Sequence, residues 1–448
     1  MISTKPWLCD VIALSAILLA TFSPSIWSRL YHQTNTAAFL LAVVMALLGI
    51  YTLVIWLARY FLKSVDTDAI LRSSVVGCAA LYVGVMVTGG VLGGSPVSAL
   101  VAVALVISTA SYPLFSRKLI PCWPRVRMAV TVGGLLFFCS APLVGHLASR
   151  NINLFQPVSE VERIPTIWLL LDETSYGAAE QLIIPLQRLG FWTSTHALDP
   201  AGKNTLDVVP SFLLREVMGP TTAPCGITTV CASIRAVDFS RIAMGRSGID
   251  VVGIHHPYCS MLGWRTCMDG RQQMAAWSEQ WHAIVCSILR HLGNSTEACE
   301  LRKTMSELEW RERLKATVLS APFWSEGGDL YAHLLLPHMP ASANPLPSLA
   351  AAYEINLRSA AEFIGVLGHR LHKQFPQGFR FVIFSDHPLR PIKLCRAAYG
   401  GNCTIPTRYA EPYQVPLIVS SLSEINFVPP TSNLNVLDFL PTKSKSSR

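Results

Sequence analysis

Four side chains from three separate segments offer the ligand set of a metal-dependent enzyme. They are Glu173, Thr205 and the adjacent pair Asp386 and His387. Two carboxylates, an imidazole and a hydroxyl match the oxygen and nitrogen ligands of a tetrahedral zinc-type ion. A threonine hydroxyl can also act as a nucleophile when a metal or a base lowers its pKa. If the four converge in space, they predict a site for metal-dependent phosphoryl or sulfuryl transfer.

Two of these segments follow short apolar runs that are typical of buried strands. Ile167–Leu171 precedes the first carboxylate, Glu173, and Phe381–Phe384 precedes Asp386 and His387. Open α/β sheets place their ligands at the carboxyl ends of strands. A helix-capping role would explain Glu173 equally well. Capping could also explain Asp386, but it explains His387 less readily, so the pattern favours a metal site at this pair.

The other polar candidates are less specific. Thr205, taken alone, is typical of a turn or a helix cap. His333 and His338 flank the end of a third apolar run, Leu330–Leu336. Either histidine could donate a hydrogen bond to a phosphate or protonate a leaving group. His333 lies inside the predicted strand, so a histidine satisfied within the core is the alternative for that residue.

The elements between these segments indicate an α/β domain. Ala178–Leu189 predicts a helix after the first strand, and the charged segment Cys299–Thr317 predicts another. Ahead of Phe381–Phe384, apolar residues recur at helical spacing, at Leu357, Ala361, Ile364, Leu367 and Leu371. Strand, helix and strand in this order predict a layered α/β fold. We assign it to residues 165–440 and expect residues 441–448 to be a disordered tail.

The first 150 residues differ from the rest in composition. Of the 448 residues, 51% are hydrophobic and 14% charged, and the apolar ones concentrate in this region. A membrane-spanning helix needs about 20 apolar residues. Five stretches are long enough: Trp7–Trp27, Ala37–Leu62, Ser74–Leu92, Val97–Phe115 and Met128–Leu147. We predict an all-α, five-helix transmembrane bundle over residues 1–148 and a linker over 149–164. The first stretch lacks a small-residue cleavage site, which favours a retained anchor.

Basic residues in the loops orient this bundle. They cluster in the second and fourth loops, at Arg59, Lys63, Arg72, Arg117, Lys118, Arg125 and Arg127. The positive-inside rule places these loops and the N-terminus in the cytoplasm and everything after Leu147 outside. If one stretch were a buried globular helix instead, the C-terminal domain would lie on the other side. The basic runs are not interleaved with aromatic residues, so the net charge of +8 predicts no nucleic-acid partner.

The cysteines are consistent with an exported domain. Eight follow residue 148, in close sequence pairs whose simplest connection is between nearest neighbours: Cys225 with Cys231, Cys259 with Cys267, Cys286 with Cys299, and Cys395 with Cys403. An even number of paired cysteines suits an oxidising compartment. A structural zinc site is the alternative, but it usually needs C-x-x-C spacing, which is absent here. Four others, Cys9, Cys78, Cys122 and Cys139, are expected to be unpaired.

Taken in order, the motifs resemble those of the alkaline phosphatase/sulfatase superfamily, and most closely the membrane-anchored phosphoethanolamine transferases that modify lipid A. Those proteins also carry five membrane helices ahead of a disulfide-rich periplasmic catalytic domain. Their motifs G-E-T-[ST]-R, T-x-x-x-V-P, H-x-x-G-S-H-G-P and S-D-H-G resemble Asp172–Tyr176, Thr205–Pro210, His333–Pro340 and Ser385–Pro388. The resemblance implies that Glu173 is a metal ligand and that His338 contacts the substrate.

Two departures from the family pattern fall on substrate contacts. The family usually follows D-H-G with E-S-L-G-E and a further histidine, whereas Pro388-Leu-Arg-Pro391 follows here. The family's asparagine ahead of a cysteine pair is replaced around His255-His-Pro-Tyr-Cys259. Arg390 could bind a phosphate or sulfate as a bidentate partner, or it could form a plain salt bridge. The C-x-P-x-R or S-x-P-x-R nucleophile motif of sulfatases is absent from residues 165–440.

The resemblance implies a multi-pass protein of the bacterial inner membrane with a periplasmic catalytic domain. Thr205 would take a phosphoryl-linked group, phosphoethanolamine by analogy, from a membrane phospholipid and pass it to an envelope glycan or glycolipid. The metal would be Zn²⁺, with Mn²⁺ as the alternative, held by Glu173, Thr205, Asp386 and His387. His338 would orient the substrate or protonate the leaving alcohol. The predicted substrate-binding set is His333, His338, Arg390 and His256.

Two other functions remain open from the sequence. One is a hydrolase of the same fold that cleaves phosphate or sulfate esters with water as the acceptor. The other is a relative without catalytic activity that only binds envelope glycans. Metal analysis would separate the binding protein from the enzymes, and lipid analysis would separate the transferase from the hydrolase.

Overall fold

The computed structural model describes residues 13, 27, 28, 31, 123–155, 164–219, 222–232, 235–269, 297–338, 348–390, 406–410 and 412–439. Backbone contacts divide the chain into two compact units, Met1–Leu30 with Thr36–Val144 and Tyr31–Asn35 with Gly145–Arg448. Apart from isolated positions, the first four predicted membrane stretches and the tail lie outside the described residues. The fifth stretch lies within helix α1, Trp123–Ala148. No helix formed by the described residues is both long and apolar enough to cross a membrane.

The strands of the second unit form one large sheet and two small ones. In chain order they are β1 Ile152–Asn153, β2 Thr166–Asp172, β3 Trp192–Leu198, β4 Ala223–Pro224, β5 Thr229–Ala232, β6 Arg235–Asp238, β7 Ile242–Ala243, β8 Ile249–Gly253, β9 Thr266–Asp269, β10 Asp329–Pro337, β11 Arg380–Ser385 and β12 Val415–Ser421. The large sheet has seven strands in the order β3-β12-β11-β2-β10-β8-β9. The small sheets pair β1 with β7 and join β4, β5 and β6.

Helices cover both faces of the large sheet. They are α2 Ala179–Arg188, α3 Thr205–Leu214, α4 Glu297–Ser320, α5 Phe323–Glu326, α6 Leu349–Gln374 and α7 Thr407–Ala410. On one face, Leu169 of β2 belongs to a core cluster with apolar residues of α2, α4 and α6. On the other face, Leu170 belongs to a second cluster with Val208 and Phe212 of α3. Because successive residues of a strand point to opposite faces, strand β2 contributes to both clusters, and all seven of its residues are buried.

The centre of the sheet brings the predicted site segments to one edge. Strand β2 pairs in parallel with β11 on one side and with β10 on the other. Leu171 is in register with Ser385, and Asp172 is in register with Pro337. Strand β3 also runs parallel to β11, because both are antiparallel to β12. The chain therefore leaves β2, β3, β10 and β11 at the same edge, where open α/β sheets bind their ligands.

The sequence predictions for this domain are confirmed at the level of elements. The three apolar runs lie in strands β2, β10 and β11, and the three predicted helices correspond to α2, α4 and α6. The disulfides Cys225–Cys231 and Cys259–Cys267 are formed, and Cys139 is free. The other two predicted disulfides and Cys9, Cys78 and Cys122 lie outside the residues whose side chains are described.

The beginning of the predicted linker is ordered and packed. Ile152 and Asn153 form strand β1, which pairs in parallel with Ile242 and Ala243. The next residue, Leu154, has only 1% of its side chain exposed. Apolar residues at 152, 154 and 155 explain this packing, because their burial stabilises a segment that the neighbouring polar residues alone would leave in solvent.

Candidate metal centre

Two carboxylates and an imidazole meet at the carboxyl edge of the sheet. One ligand atom from each of Asp172, Asp386 and His387 lies within 4.8 Å of the other two. His387 Nε2 is 3.3 Å from Asp386 Oδ2 and 3.9 Å from Asp172 Oδ1. All three side chains are at most 1% exposed. Among the described residues this is the group of His, Cys, Asp and Glu side chains whose spacing fits a metal ion.

The hydroxyl of Thr205 lies against all three of these side chains. Its Oγ1 donates a hydrogen bond to Asp386 Oδ2 at 2.8 Å and lies 3.5 Å from both Asp172 Oδ1 and His387 Nε2. Thr205 is the first residue of α3, after the N-cap Asn204, whose side chain accepts from the backbone of Asp207. The first amides of a helix have no partner within the helix and attract anions. The hydroxyl is therefore held where a negatively charged group would be stabilised.

Hydrogen bonds fix the orientation of the imidazole. His387 Nδ1 is 3.0 Å from the carbonyl oxygen of Pro388. Because a carbonyl can only accept, Nδ1 carries a proton, and the nitrogen that remains for a cation is Nε2, on the side of Asp386 and Thr205. The other carboxylate oxygen of Asp386, Oδ1, accepts from the backbone amides of Glu173 and His387 at 3.2 and 2.8 Å. A backbone partner that sets the tautomer in this way is typical of metal-binding histidines.

The charges of the site call for a cation between the carboxylates. Burial raises the pKa of Asp386 above its usual value despite the opposing charge of His387, and the neighbouring Asp172 adds to the rise. Burial also raises the pKa of Asp172, but the charge of His338, together with the nearby ring of His255, outweighs it and holds the pKa well below 3.8. Asp172 Oδ2 is buried without a hydrogen-bond partner among the described atoms. Oxygen and nitrogen donors with a free carboxylate oxygen fit a zinc-type ion.

The structure places Glu173 differently from the sequence prediction. Its Oε1 pairs with Arg390, 2.5 Å from a terminal guanidinium nitrogen and 2.6 Å from Nε. The group with metal-ligand spacing contains Asp172 and not Glu173. Strand alternation explains the difference, because Asp172 shares the β2 face of Leu170, against which α3 packs. Glu173 follows with a φ of 61°, in the left-handed region, and its carboxylate is bound by Arg390.

Two partly exposed histidines line the entrance to the cluster. His255 Nε2 is 3.4 Å from Asp172 Oδ2, and His338 Nε2 is 3.8 Å from Glu173 Oε2. Their ring centroids are 6.4 Å apart. His338 is one of the predicted substrate contacts, whereas His255 is not. The signal for His255 was present in its adjacent histidine and cysteine, but its placement depends on the turn after β8, where its φ is 67°.

The other two predicted substrate-binding histidines are fully buried. His333 Nδ1 is 2.8 Å from the hydroxyl of Tyr258, and burial lowers the pKa of His333 to about 3, so its ring is neutral. His256 Nε2 lies 3.2 Å from the backbone oxygen of Thr205, and its Nδ1 lies 2.6 Å from the hydroxyl of Tyr31. Both rings therefore contact buried protein groups.

No family model matches the chain, and no curated protein matches it significantly. Among solved structures it is similar to the periplasmic domain of phosphoethanolamine transferase EptC from Campylobacter jejuni, at 11% identity and a TM-score of 0.32, over 60% of this chain and 83% of that one. The periplasmic domain of EptC from Escherichia coli is 13% identical to it, with a TM-score of 0.33, over 63% of this chain and 84% of that one. The integral membrane protein EptA from Neisseria meningitidis, a lipooligosaccharide phosphoethanolamine transferase, is 13% identical to it, with a TM-score of 0.31, over 93% of this chain and 88% of that one. All three are phosphoethanolamine transferases, the group that the sequence motifs resemble.

Proposed function

We propose that this protein is a metal-dependent transferase that moves a phosphoryl-linked group through a covalent intermediate on Thr205. One observation carries the proposal: the Thr205 hydroxyl lies within 2.8 to 3.5 Å of Asp172, Asp386 and His387. Asp172, Asp386, His387 and Thr205 are the residues that would hold the ion. Zn²⁺ suits this donor set, with Mn²⁺ as the alternative. When bound, the ion lowers the pKa of a coordinated hydroxyl and offsets negative charge on the phosphoryl oxygens.

The residues of the chain account for the first half of the reaction. Asp386 Oδ2, the nearest acceptor, receives the proton of the Thr205 hydroxyl. The Thr205 Oγ1–P bond forms while the P–O bond to the leaving alcohol breaks, and protonated His338 or His255 gives that alcohol its proton. The amides at the start of α3 stabilise the charge on the phosphoryl group.

The second half returns the enzyme to its starting state. The hydroxyl of the acceptor gives its proton to the histidine that was deprotonated in the first step. Its oxygen attacks phosphorus, and the bond between phosphorus and Thr205 Oγ1 breaks. Asp386 then returns the proton to Thr205. No oxidant, reductant or nucleotide is needed for this exchange of one phosphodiester for another.

We further propose that the donor is a membrane phospholipid with a phosphoethanolamine headgroup and that the acceptor is a glycan or glycolipid of the bacterial envelope. The apolar stretches before residue 148 support a membrane location for the chain. The two disulfides support an oxidising compartment such as the periplasm for the catalytic unit. An enzyme held at the bilayer would meet a lipid donor in the plane of the membrane.

Mass spectrometry of the full-length protein, incubated with phosphatidylethanolamine vesicles, tests the proposal. We expect a phosphoethanolamine adduct on the peptide that contains Thr205 and release of diacylglycerol. Thr205→Ala should abolish both products. Thr195→Ala, in strand β3, is the matched control and should retain them.

Two results would contradict the proposal. Undiminished diacylglycerol release by Thr205→Ala would exclude Thr205 as the nucleophile. Release of free phosphoethanolamine at the same rate with and without a glycan acceptor would show hydrolysis in place of transfer. A protein that contains zinc but turns over no lipid would support a different donor or a binding function.

A further inference from the structure

A tyrosine from the N-terminal part of the chain lies in the core of the catalytic unit. Tyr31 clusters with the unit that contains Gly145–Arg448 and has 0% of its side chain exposed. Its ring packs edge-on against Phe239 at 6.2 Å and against His256 at 5.9 Å. The positive-inside rule predicts that the first loop, which contains Tyr31, lies on the same side of the membrane as the residues after Leu147.

The hydrogen bonds of Tyr31 lead to the backbone of the nucleophile. The Tyr31 hydroxyl is 2.6 Å from His256 Nδ1, and His256 Nε2 is 3.2 Å from the backbone oxygen of Thr205. The carbonyl of Thr205 can only accept, so Nε2 must carry a proton and donate it. In the neutral ring Nδ1 is then an acceptor, and the Tyr31 hydroxyl donates to it. The chain of donors therefore has one direction, from Tyr31 through His256 to Thr205.

The packing around His256 keeps this chain rigid and dry. The imidazole stacks on the ring of Phe239, with centroids 5.3 Å apart and an interplanar angle of 13°. His256 has 0% of its side chain exposed. In a buried network water cannot replace a lost partner, so removal of the Tyr31 hydroxyl takes a hydrogen bond away from the His256 ring that is not regained from solvent.

His256 also connects the nucleophile to the histidine turn at the entrance of the site. It follows His255, whose Nε2 faces Asp172 Oδ2 at 3.4 Å. Its own amide donates to the carbonyl of Ile254 at 2.8 Å. A shift of the His256 ring would therefore move both Thr205 and His255.

We propose that Tyr31 is a positioning residue for Thr205 and acts through His256. This inference rests on the proposed role of Thr205 as the nucleophile. The first part of the chain thus supplies a component of the active site in addition to any anchoring role. Tyr31 sets the ring of His256, and His256 holds the carbonyl of Thr205 so that Oγ1 points into the group of Asp172, Asp386 and His387.

The test is Tyr31→Phe in the full-length protein, which removes one hydroxyl and keeps the ring. We expect kcat for diacylglycerol release from phosphatidylethanolamine to fall about 10- to 100-fold, as for other small displacements of a reacting group. KM for the lipid and the zinc content should stay within about twofold, because substrate and metal contacts are kept. Tyr331→Phe is the matched control, since Tyr331 is a fully buried tyrosine of the same core cluster, and it should keep the kcat of the native protein.

A double-mutant cycle separates positioning from a general loss of stability. His256→Gln keeps a donor for the Thr205 carbonyl but loses the Tyr31 partner, so adding Tyr31→Phe should lower kcat no further. If the losses of kcat in the two single variants add up in the double variant, or if kcat is unchanged in Tyr31→Phe, the inference is overturned while the role of Thr205 stands. Full activity of Thr205→Ala would overturn both. If Tyr31→Phe does not fold, the kcat of His256→Gln decides, because the inference predicts a loss there as well.

Discussion

The proposed role of Thr205 as a nucleophile depends on its neighbours. A threonine hydroxyl is a poor nucleophile in water, and here it lies between two buried carboxylates and an imidazole of fixed orientation. Of the adjacent acids Asp172 and Glu173, only the first reaches this group, while the second binds Arg390. The two adjacent acids therefore have different partners.

We expect Asp172→Asn to lose zinc and Glu173→Gln to keep it. Asn retains the size of the side chain but removes the negative charge that a cation requires. Removal of an outer-shell partner lowers metal affinity about 10- to 100-fold, and the loss of zinc affinity here should be larger. The metal content of both purified variants can be measured by mass spectrometry at a series of free zinc concentrations. Zinc retained by Asp172→Asn and lost from Glu173→Gln would reverse the assignment in favour of Glu173.

Arg390 should stabilise the fold through Glu173. The carboxylate of Glu173 is fully buried and Arg390 is 20% exposed, so Arg390→Gln leaves a buried charge without its partner. We expect the free energy of unfolding in urea to fall by about 3 kcal/mol. Glu173→Gln in the same chain should recover most of this loss. Arg408→Gln is the control, because Arg408 is 57% exposed in its pair with Glu354, and such pairs contribute at most about 1 kcal/mol. Equal losses in the two Arg variants would contradict the prediction.

At the scale of elements, parallel strand ends and one helix start create the site. Apolar runs such as Ile167–Leu171 are sufficient to predict strands, and an Asp-His pair after Phe384 is sufficient to predict a ligand position. The order of the strands cannot be read from such runs, because it depends on long-range pairing. His255 was missed for this reason, since β8 reaches the site only by pairing with β10. Glu173 was chosen over Asp172 from the motif resemblance, although strand alternation favours Asp172.

The N-cap of α3 should affect catalysis as well as stability. The side chain of Asn204 accepts from the Asp207 amide at 3.2 Å, next to Thr205. Asn204→Ala should lower the free energy of unfolding by about 1 kcal/mol and should also lower kcat, because the helix start carries the nucleophile.

Ser348→Ala is the matched control for this prediction. Ser348 caps α6 in the same way, with its side chain accepting from the Ala351 amide at 3.1 Å. The variant should lose similar stability without loss of kcat. Urea unfolding and lipid turnover measure the two quantities. An equal effect on kcat in both variants would show that the cap acts only through stability.

At the scale of the whole molecule, the second unit is closed by contacts between distant parts of the chain. Tyr31 packs into its core, and His146 Nδ1 lies 2.6 Å from Asp238 Oδ2. The Cys259–Cys267 disulfide closes a short loop directly after the His255–His256 turn.

Removal of the Cys259–Cys267 disulfide should destabilise the second unit. Replacing both cysteines with alanine removes a cross-link of the unfolded chain over a separation of eight residues, and we expect a loss of about 2 to 3 kcal/mol. Cys139→Ala removes an unpaired, exposed cysteine and should leave the stability unchanged. Urea unfolding under oxidising conditions measures both. A double alanine variant as stable as the native protein would contradict the prediction.

The buried position of Tyr31 has a consequence for work with shortened proteins. A polypeptide that starts at residue 145 would contain the side chains proposed to bind the metal but would leave a phenol-sized cavity beside the stacked rings of Phe239 and His256. Apolar cavities of this kind take up small aromatic molecules from solution. Added phenol, with a ring and a hydroxyl, would then occupy the place of the missing side chain and restore turnover, whereas benzene would fill the space without donating to the imidazole.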